Sequence, residues 1–423
     1  MLALPGTLRA AALIFSVLLA ASCGGGGGAT QPIGTPTPPG PPAPAANVLS
    51  ISLSPGPNAT SVVNTLYTSV VVCVPGSTTE CQTIDDIQVD TGSFGLRLIS
   101  SVLTLSLPGQ MAANGNSLVE CTVFADGYSW GPVQLADVQM AGEKASSVTV
   151  QVIGSASFPT VPADCAGTGT AEDSVAAFGA NGVLGVGVFA QDCGAGCVTT
   201  VQPTSYYSCT SSVCTATTAS LATQVVNPVV LLATDKNGVI IELPSIPAEG
   251  AATVAGSLIF GIDTQSNNKS GNQTVLLLNP SNGLFTTVYN SQSLGQSFLD
   301  TGSNALYFID ASIPQCTNQN YAGFYCPTST LSLSASLQGQ DVNGDPLGAS
   351  ATVNFSVANT QTLSTDEPTF LAFSSLAGTL PQSGQNSLTN TFDWGLPFYF
   401  GRTVYTAIQG ATTSVGTGPY IAF

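Results

Sequence analysis

Histidine is absent from this chain of 423 residues. Its absence excludes Ser-His-Asp and Cys-His catalysis and any metal site that depends on imidazole ligands. Basic residues are scarce, since Lys and Arg total 6 against 23 Asp and Glu. Such an acidic surface repels phosphate backbones, so we expect no nucleic acid partner. Two explanations of the charge stay open, solubility alone and adaptation to an acidic medium, in which few interactions are lost on protonation.

A sustained helical period is also missing. Runs rich in β-branched residues recur along the chain instead, and Gly, Pro and Asn interrupt them. This pattern is typical of many short strands, so the sequence predicts an all-β fold. The length is sufficient for two packed lobes.

The N-terminus has the features of a targeting segment. Residues 1–22 combine a single basic residue, Arg9, with an apolar run that is too short to span a membrane by itself. The sequence Ala20-Ala21-Ser22-Cys23 resembles the bacterial lipobox, so we predict a lipoprotein signal peptide and acylation of Cys23. The alternative is a plain signal peptide without the lipid, which also exports the protein.

A Gly-rich and Pro-rich tether follows over residues 23–47. A segment of this composition is flexible to extended and would hold the folded part away from a membrane surface. Gly24 stands where an aspartate often retains lipoproteins at the inner membrane. We therefore expect a protein anchored by its N-terminal lipid to the bacterial envelope at the outer membrane, on either its periplasmic or its surface face.

Ten cysteines remain apart from Cys23, an even number that predicts up to five disulfides in an exported chain. Close spacing predicts two of the bridges, and one further couple remains outside a cluster of four. The spacings of the cluster fit no zinc template, so we expect its four cysteines to form two disulfides. Which of them pair with each other stays open. The predicted pairs are Cys73 with Cys81, Cys316 with Cys326 and Cys121 with Cys165, and the cluster is Cys193, Cys197, Cys209 and Cys214.

One tetrapeptide occurs twice, each time after a short apolar run. Asp90-Thr91-Gly92-Ser93 follows Ile87-Gln88-Val89, and Asp300-Thr301-Gly302-Ser303 follows Ser297-Phe298-Leu299. A single copy would be an ordinary turn, since Asp, Gly and Ser are frequent in turns. Two copies from similar halves can bring two carboxylates face to face, which is the arrangement needed to activate a water molecule between them.

The chain divides naturally into two related lobes. We place the first at residues 48–247 and the second at 251–423, because the connector Leu243–Gly250 is rich in Pro and Gly. Each lobe holds one Asp-Thr-Gly-Ser and, further along, an apolar segment with glycine, Gly182–Gly187 in the first and Trp394–Phe398 in the second. Ligand sites usually form in clefts between such lobes.

These residues resemble those of the pepsin-like aspartic peptidases. In that family an apolar-apolar-Gly segment frames each Asp-Thr-Gly turn, and Val183-Leu184-Gly185 and Asp393-Trp394-Gly395 occupy the equivalent places. Phe124–Gly142 is similar to the family's flap hairpin, and Gly256–Asp263 is similar to the strand that opens its second lobe. The resemblance implies an all-β, two-lobed pepsin-like fold with a central cleft and a flap, in a remote bacterial lipoprotein branch.

The resemblance also implies a role for each motif residue. The two aspartates would share one proton and act on water and on the scissile carbonyl. The glycines would allow close packing behind the carboxylates, the threonine hydroxyls would lock the two loops together, and the serines would orient the outer carboxylate oxygens. The predicted site therefore consists of Asp90 and Asp300 as catalytic residues, supported by Thr91, Gly92, Ser93, Thr301, Gly302 and Ser303.

Two residues depart from the family pattern. Phe124 stands where the flap tyrosine is expected, and Tyr128 and Trp130 either cover the cleft in its place or pack inside the flap, to which Asp126 also belongs. Arg97 stands where an aromatic residue is usual. It either lowers the pKa of a catalytic carboxyl or points to solvent or the sheet edge.

Three functions are compatible with the sequence. The leading hypothesis is an exported, membrane-tethered aspartic endopeptidase that hydrolyses a polypeptide substrate, with no metal or organic cofactor, as a monomer. The second is a non-catalytic pepsin-like lipoprotein that binds peptide or cell wall, and Phe124 and Arg97 are the reasons for it. The third is a structural surface lipoprotein whose strands and disulfides serve durability alone.

Overall fold

A computed structural model describes residues 45–57, 62–380 and 388–423. The predicted signal peptide, the lipidation site Cys23 and nearly all of the predicted tether lie outside these residues. Strands account for 43% of the structure and helices for 9%, which confirms the all-β prediction. None of the helices in the described ranges has the length and apolar character that crossing a membrane requires.

The strands of the first half are short and are separated by turns, as the interrupted β-branched runs predict. In the described residues up to 247 they are β1 (Val48–Leu53), β2 (Leu66–Cys73), β3 (Cys81–Asp90), β4 (Phe94–Ile99), β5 (Ser117–Val123), β6 (Gly127–Met140), β7 (Glu143–Ile153), β8 (Thr170–Ala171), β9 (Gly182–Val186), β10 (Tyr206–Cys209), β11 (Cys214–Ala216) and β12 (Gly238–Leu243). Three single-turn helices accompany them, α1 (Ala163–Ala166), α2 (Val175–Phe178) and α3 (Gly196–Thr199).

The second half continues in the same manner. Its strands in the described part are β13 (Val254–Phe260), β14 (Val275–Leu277), β15 (Phe285–Tyr289), β16 (Gln292–Leu299), β17 (Leu306–Tyr307), β18 (Leu331–Gln340), β19 (Pro346–Val357), β20 (Ala377–Gly378), β21 (Asp393–Trp394), β22 (Arg402–Ala407), β23 (Thr412–Thr413), β24 (Gly416–Thr417) and β25 (Tyr420–Ala422). A helix of seven residues, α4 (Thr360–Asp366), lies between β19 and β20.

Six strands of the first half close into a β-barrel. Pairing runs from β2 to β3, β9, β4, β7 and β6, and β6 pairs back to β2. The strands bury apolar side chains such as Val72, Leu96 and Val150, which are not exposed at all. Closure removes the free edges that a flat sheet would present, and this rigid barrel carries the first Asp-Thr-Gly-Ser turn.

The two halves share strands. β1 pairs along its whole length with β13, the first strand after the connector. β12 lies before the predicted boundary at residue 247, yet it pairs with β13 and with β22 of the second half. The barrel therefore continues through β1 into four strands of the second half within one sheet of sixteen strands. A separate sheet of seven strands, which includes β16 and β21, completes the second half.

Five disulfides connect the ten described cysteines. The three predicted pairs are confirmed, and the cluster of four pairs as Cys193 with Cys197 and Cys209 with Cys214. Bridges of this number are consistent with an exported protein. The Cys121–Cys165 bridge ties β5 to α1, which holds the β5–β6 hairpin close to its tip.

Candidate active site

The first Asp-Thr-Gly-Ser turn is held between three strands. β3 ends at Asp90 and lies parallel to β9, and β4 returns antiparallel on the other side of β9. Gly185 of β9 sits against the turn, where an added Cβ would come within 2.6 Å of the Phe94 nitrogen. Only glycine fits there without a shift, which explains the framing glycine that the sequence pattern pointed out.

The second turn is held in the same way. β16 ends just before Asp300 and lies parallel to β21, and β17 pairs antiparallel with β21. An added Cβ at Gly395 would stand 2.1 Å from the Ala305 carbonyl oxygen and 2.6 Å from that of Ser303. The repeat seen in the sequence is therefore a repeat of local structure, with a strand, a turn and a framing glycine in each half.

The two turns are joined through their threonines. The Thr91 N–H donates to the Thr301 hydroxyl at 3.1 Å, and the Thr301 N–H donates to the Thr91 hydroxyl at 3.0 Å. The Thr301 hydroxyl in turn donates to the Val89 carbonyl at 2.8 Å. The Thr91 hydroxyl also lies 2.9 Å from that of Tyr399, a contact that sequence reasoning did not identify. This reciprocal exchange fixes the position of one carboxyl group relative to the other.

The glycines of the motifs allow the two carboxyl groups to meet. An added Cβ at Gly92 would lie 2.7 Å from the Asp300 carboxyl carbon, and one at Gly302 would lie 2.8 Å from that of Asp90. Each glycine thus packs against the carboxyl group of the other half. The two carboxyl groups are within hydrogen-bonding distance of each other.

Each carboxyl group has the same set of donors. The Gly92 N–H donates to Asp90 Oδ1 at 2.7 Å, and the Gly302 N–H donates to Asp300 Oδ1 at 2.7 Å. The hydroxyl of Ser93 lies 2.5 Å from Asp90 Oδ2, and that of Ser303 lies 2.8 Å from Asp300 Oδ2. These four hydrogen bonds fix the orientation of both carboxyl groups, so that the inner oxygen of one faces the inner oxygen of the other.

The aspartate pair holds a shared proton. Burial and the negative charge of Asp300 raise the pKa of Asp90 well above its usual value, although Ser93 and Gly92 stabilise the ionised form. Two carboxylates at this separation cannot both ionise in a partly dry site, so one proton belongs to the pair. The pair therefore contains one acid and one base side by side wherever Asp90 keeps its proton.

A cavity of about 690 Å³ opens over the pair. At the end near the two aspartates it is lined by Ser93, the ring of Phe94 and the ring of Phe298. A smaller cavity of about 210 Å³ adjoins it at Gly92, Phe94 and Phe298 and is lined mainly by apolar side chains, among them Val188, Leu278 and Phe285. A polypeptide lying across the aspartate pair would thus reach both cavities, one lined partly by charged side chains and the other mainly by apolar ones.

The comparisons with known proteins give a family. The model of a family described as a protein of unknown function, DUF3443, matches residues 43–423. The chain belongs to the DUF3443 family. No protein with a curated description matches it.

A hairpin borders the cavity of this DUF3443 chain. β5 and β6 form it, with its tip at residues 124–126, so its first arm precedes the range Phe124–Gly142 in which the sequence prediction placed the flap. Phe124 and Ala125 line the cavity, and the Phe124 ring packs edge-on against Phe178 at 5.8 Å. Beside the tip, burial and the charge of Asp126 raise the pKa of Glu172 to about 8.

Two aromatic residues of the hairpin turn away from the cavity. Tyr128 and Trp130 are buried against Tyr207 and the Cys121–Cys165 bridge. The Trp130 indole N–H donates to the Phe158 carbonyl at 2.9 Å. Of the two alternatives, these residues pack inside the hairpin, and neither takes the place of the tyrosine that Phe124 replaces.

Arg97 of the DUF3443 chain takes neither of the two positions that the sequence suggested. It is 1% exposed, so it does not point to solvent. Its guanidinium lies at the far end of the cavity, where Nη2 pairs with Glu120 at 2.7 Å and with Asp192 at 3.3 Å. The other alternative was a lowered pKa of a catalytic carboxyl group. The pKa of Asp90 is raised instead, because burial and the charge of Asp300 have the largest effects on it.

A third carboxyl group, Asp393, joins the pair through Ser303. The Ser303 hydroxyl lies 2.8 Å from Asp300 Oδ2 and 2.6 Å from Asp393 Oδ2, but it has one proton to donate. Burial, together with the charge of Asp300, raises the pKa of Asp393 well above its usual value. The raised pKa favours the protonated form of Asp393, which can donate to the Ser303 hydroxyl while that hydroxyl donates to Asp300.

Sequence reasoning named Asp393 only as part of the framing segment. The signal that could have revealed its role is an acidic residue between Phe392 and Trp394, two aromatic residues that are not exposed at all. A carboxyl group in such a position must be paired or neutral.

Proposed function

We propose that this chain is an exported aspartic endopeptidase with a pepsin-like architecture of two lobes, a cleft and a flap. The observation that carries the proposal is the meeting of Asp90 and Asp300 from two repeated turns, within hydrogen-bonding distance and backed by each other's glycines. The reciprocal threonine hydrogen bonds support it, because they hold this separation without a ligand. The hairpin tip over the cavity fits the part of a flap.

The chemistry follows from one proton shared by two carboxyl groups. The ionised group removes a proton from a water molecule, whose oxygen then attacks the scissile carbonyl carbon. The protonated group gives its proton to the carbonyl oxygen, and a tetrahedral intermediate forms. The first group then passes the proton that it took from water to the amide nitrogen, and the C–N bond breaks. A hydroxyl group of the intermediate returns its proton to the other carboxyl group as the new carboxyl product forms, so the pair again holds one proton. Ser93 and Ser303 keep the outer oxygens fixed throughout these transfers.

The separation of the carboxyl groups argues against glycoside hydrolysis by the same pair. Retaining glycosidases hold their two carboxyl groups about 5 Å apart and inverting ones still further. Asp90 and Asp300 are in hydrogen-bonding contact, so no sugar carbon fits between them. A single water molecule bridging two carboxyl groups suits the attack on a planar carbonyl.

The surroundings of the pair suit a polypeptide as the substrate. The cavities on either side of Phe94 and Phe298 accept side chains of an extended strand, and the exposed backbone of the hairpin tip lies beside that path. The five disulfides suit an envelope location, and we propose that a lipid on Cys23 holds a monomer at the outer membrane. Neither a metal nor an organic cofactor enters this mechanism.

The second candidate is a non-catalytic peptide-binding or cell-wall-binding module. The replacement of the expected flap tyrosine by Phe124 favours it, since a hydroxyl above the pair is then missing. The two candidates differ in their affinity for a peptide analogue that carries a hydroxyl group at the scissile position. An endopeptidase binds such an analogue much more tightly than the parent peptide, because the hydroxyl occupies the position of the attacking water.

Proteolysis at acidic pH is the direct test. Purified protein incubated with an unfolded polypeptide between pH 3 and pH 6 should release peptides, and mass spectrometry should find the new termini within the chain rather than at its ends. The activity should fall as the pH rises and the aspartate pair loses its proton. Folded protein that releases no peptide over the whole range from pH 2 to pH 7 would contradict the proposal.

Asp393 should act as a positioning residue in this reaction. In Asp393→Ala the Ser303 hydroxyl loses its donor, and the orientation of Asp300 is less well fixed, so we expect kcat to fall roughly tenfold with little change in KM. Asp393→Asn keeps a donor to Ser303 at every pH, so it should restore kcat and extend activity to higher pH. Equal loss of activity in both variants, with unchanged thermal stability, would rule out the positioning role.

A further inference from the structure

The far end of the large cavity is built from charged side chains that the proposed chemistry does not use. Arg97, Glu120 and Asp192 lie there, and they come from β4, from β5 and from the segment after β9. Arg97 and Glu120 are each 1% exposed at their side chains, whereas Asp192 is 13% exposed. Charged groups are seldom buried without a reason that outweighs the cost of desolvation.

The arginine is already fully engaged. Its Nε–H donates to the Thr122 hydroxyl at 3.0 Å, and Nη1 donates to the Phe94 carbonyl at 2.6 Å. Nη2 donates to Glu120 at 2.7 Å and to Asp192 at 3.3 Å. A guanidinium with these partners and 1% exposure has no free face for a carboxylate of a substrate. Arg97 therefore fixes the acidic groups in place and does not attract an anion.

The carboxyl groups of Glu120 and Asp192 are hydrogen-bonded to each other, which requires a proton on one of them. Glu120 Oε2 is buried and lines the cavity, yet no N–H or hydroxyl in the described part of the chain donates to it. Its neighbour is the carboxyl group of Asp192, whose Oδ1 accepts from the Tyr206 hydroxyl at 2.7 Å and from the Cys193 N–H at 2.9 Å. Asp192 Oδ2, next to Glu120, is the more exposed of the two groups and faces the cavity.

Acidic side chains outnumber basic ones along the cavity. Among the described residues that line it, four carry carboxyl groups and one carries a guanidinium. The rings of Phe94 and Phe298 line the same cavity, where they can cover the methylene stem of a long side chain. A cavity that combines aromatic rings with two carboxyl groups joined by one proton is complementary to a side chain with a long stem and a positive tip.

We propose that this cavity binds the side chain of a lysine or arginine residue of the substrate, with the positive group received by Asp192 and Glu120. The proposal rests on the proposed function, since a polypeptide must lie across Asp90 and Asp300 for a side chain to enter. The cation replaces the proton between the two carboxyl groups, so that both oxygens gain a donor. The adjoining apolar cavity takes a residue from the other side of the scissile bond.

Binding of matched peptides tests the pocket separately from catalysis. The protein is the full chain carrying Asp300→Asn, which does not consume the peptide, and the probes are three fluorescent peptides that differ at one position by lysine, norleucine or glutamate. We expect the lysine peptide to bind roughly tenfold more tightly than the norleucine peptide and the glutamate peptide to bind most weakly, with the preference reduced by salt. Equal affinity for lysine and norleucine, or a preference for glutamate, would overturn the proposal.

A second substitution tests whether Asp192 is the residue that causes the preference for lysine over norleucine. Asp192→Asn, added to the same protein, keeps the oxygen that accepts from Tyr206 and Cys193 but removes the charge, so the lysine-to-norleucine ratio should fall toward one. Asp366→Asn removes the same charge from the exposed face of α4 and should leave the ratio unchanged.

If wild-type protein cleaves polypeptides without enrichment of Lys or Arg beside the scissile bond, the pocket assignment fails while the endopeptidase assignment stands. If the lysine preference appears in binding and no cleavage occurs, the pocket assignment stands while the endopeptidase assignment fails.

Discussion

Asp300→Asn is expected to reduce kcat for polypeptide hydrolysis on the order of 10³-fold or more, with little change in KM. The asparagine has the same shape, and its oxygen can accept from the Gly302 N–H as the carboxylate does at 2.7 Å. The substitution removes the ability to gain or lose a proton, and a neutral amide beside Asp90 leaves the pair without one of its two roles. Initial rates at several substrate concentrations between pH 3 and pH 6 measure the effect.

Asp90→Asn should produce the same loss, because each half of the pair is needed. The control is Asp366→Asn, an identical chemical change on the exposed face of α4. Thermal unfolding of all three variants separates lost chemistry from lost folding. Activity that persists unchanged in folded Asp300→Asn protein would exclude the pair as the catalytic centre, whatever other acidic group then performed the reaction.

The parts of the fold that the sequence predicts are those with a local signal. Strands interrupted by Gly, Pro and Asn predict the all-β class, because turn residues and β-branched residues act within a few positions of each other. Close spacing along the chain predicts Cys73–Cys81 and Cys316–Cys326, and the structure contains both. The repeated Asp-Thr-Gly-Ser predicts the residues that meet, since each copy brings its own strand and framing glycine.

The parts that the sequence does not predict depend on contacts between distant residues. The partner of Arg97 is Glu120 on β5, a strand outside the barrel that does not pair with β4, and Asp192 follows far along the chain. No local pattern connects these three, although an arginine within the apolar strand β4 already requires a buried partner. The same holds for Asp393, which lies 90 residues from the Ser303 hydroxyl that it contacts.

The orientation of the hairpin side chains also depends on tertiary packing. Alternation along β6 permits Tyr128 and Trp130 to face either the cleft or the interior. The Cys121–Cys165 bridge and Tyr207 decide between the two faces, because they supply an apolar surface of which Trp130 covers a large share, with a ring contact at 5.2 Å. A sequence position can therefore identify a flap while leaving open what its aromatic residues do.

Stability against unfolding is expected to be greatest near pH 4 and to fall as the pH rises to 8. Several carboxyl groups have folded-state pKa values above their unfolded values, chiefly because of burial and then of a second carboxyl group nearby. Burial and Asp235 raise the pKa of Glu143 to about 7, and burial and Asp126 raise that of Glu172 to about 8. Asp90 and Asp192, beside Asp300 and Glu120, are shifted in the same direction.

The direction of the change in stability with pH depends on whether the folded state stabilises the protonated or the ionised form of a carboxyl group. A carboxyl group with a raised pKa stabilises the fold fully below its unfolded value, near 4, and this contribution is lost as the pH rises through the folded value. One pKa unit corresponds to about 1.4 kcal/mol, so Glu172 alone should cost a few kcal/mol between pH 4.5 and pH 8. Asp263 acts oppositely: burial raises its pKa, but hydrogen bonds from Ser270 and Ser414 outweigh this and lower it to about 2, so its contribution disappears as the pH falls from 4 to 2.

Thermal unfolding measured from pH 2 to pH 9 tests this balance, with a maximum expected near pH 4 and a decline of several degrees toward pH 8. Glu172→Gln should flatten the decline, because the amide needs no proton to stay neutral beside Asp126, whereas Asp366→Asn should leave the profile unchanged. A melting temperature that rises from pH 4.5 to pH 8 would contradict the carboxyl pairs as the cause. Glu172 lies beside Asp126 of the hairpin tip, so the ionisation of Glu172 near pH 8 places a further negative charge next to the tip. Stability and the proposed hydrolysis should therefore both favour the acidic side, and the excess of acidic residues then reflects more than solubility.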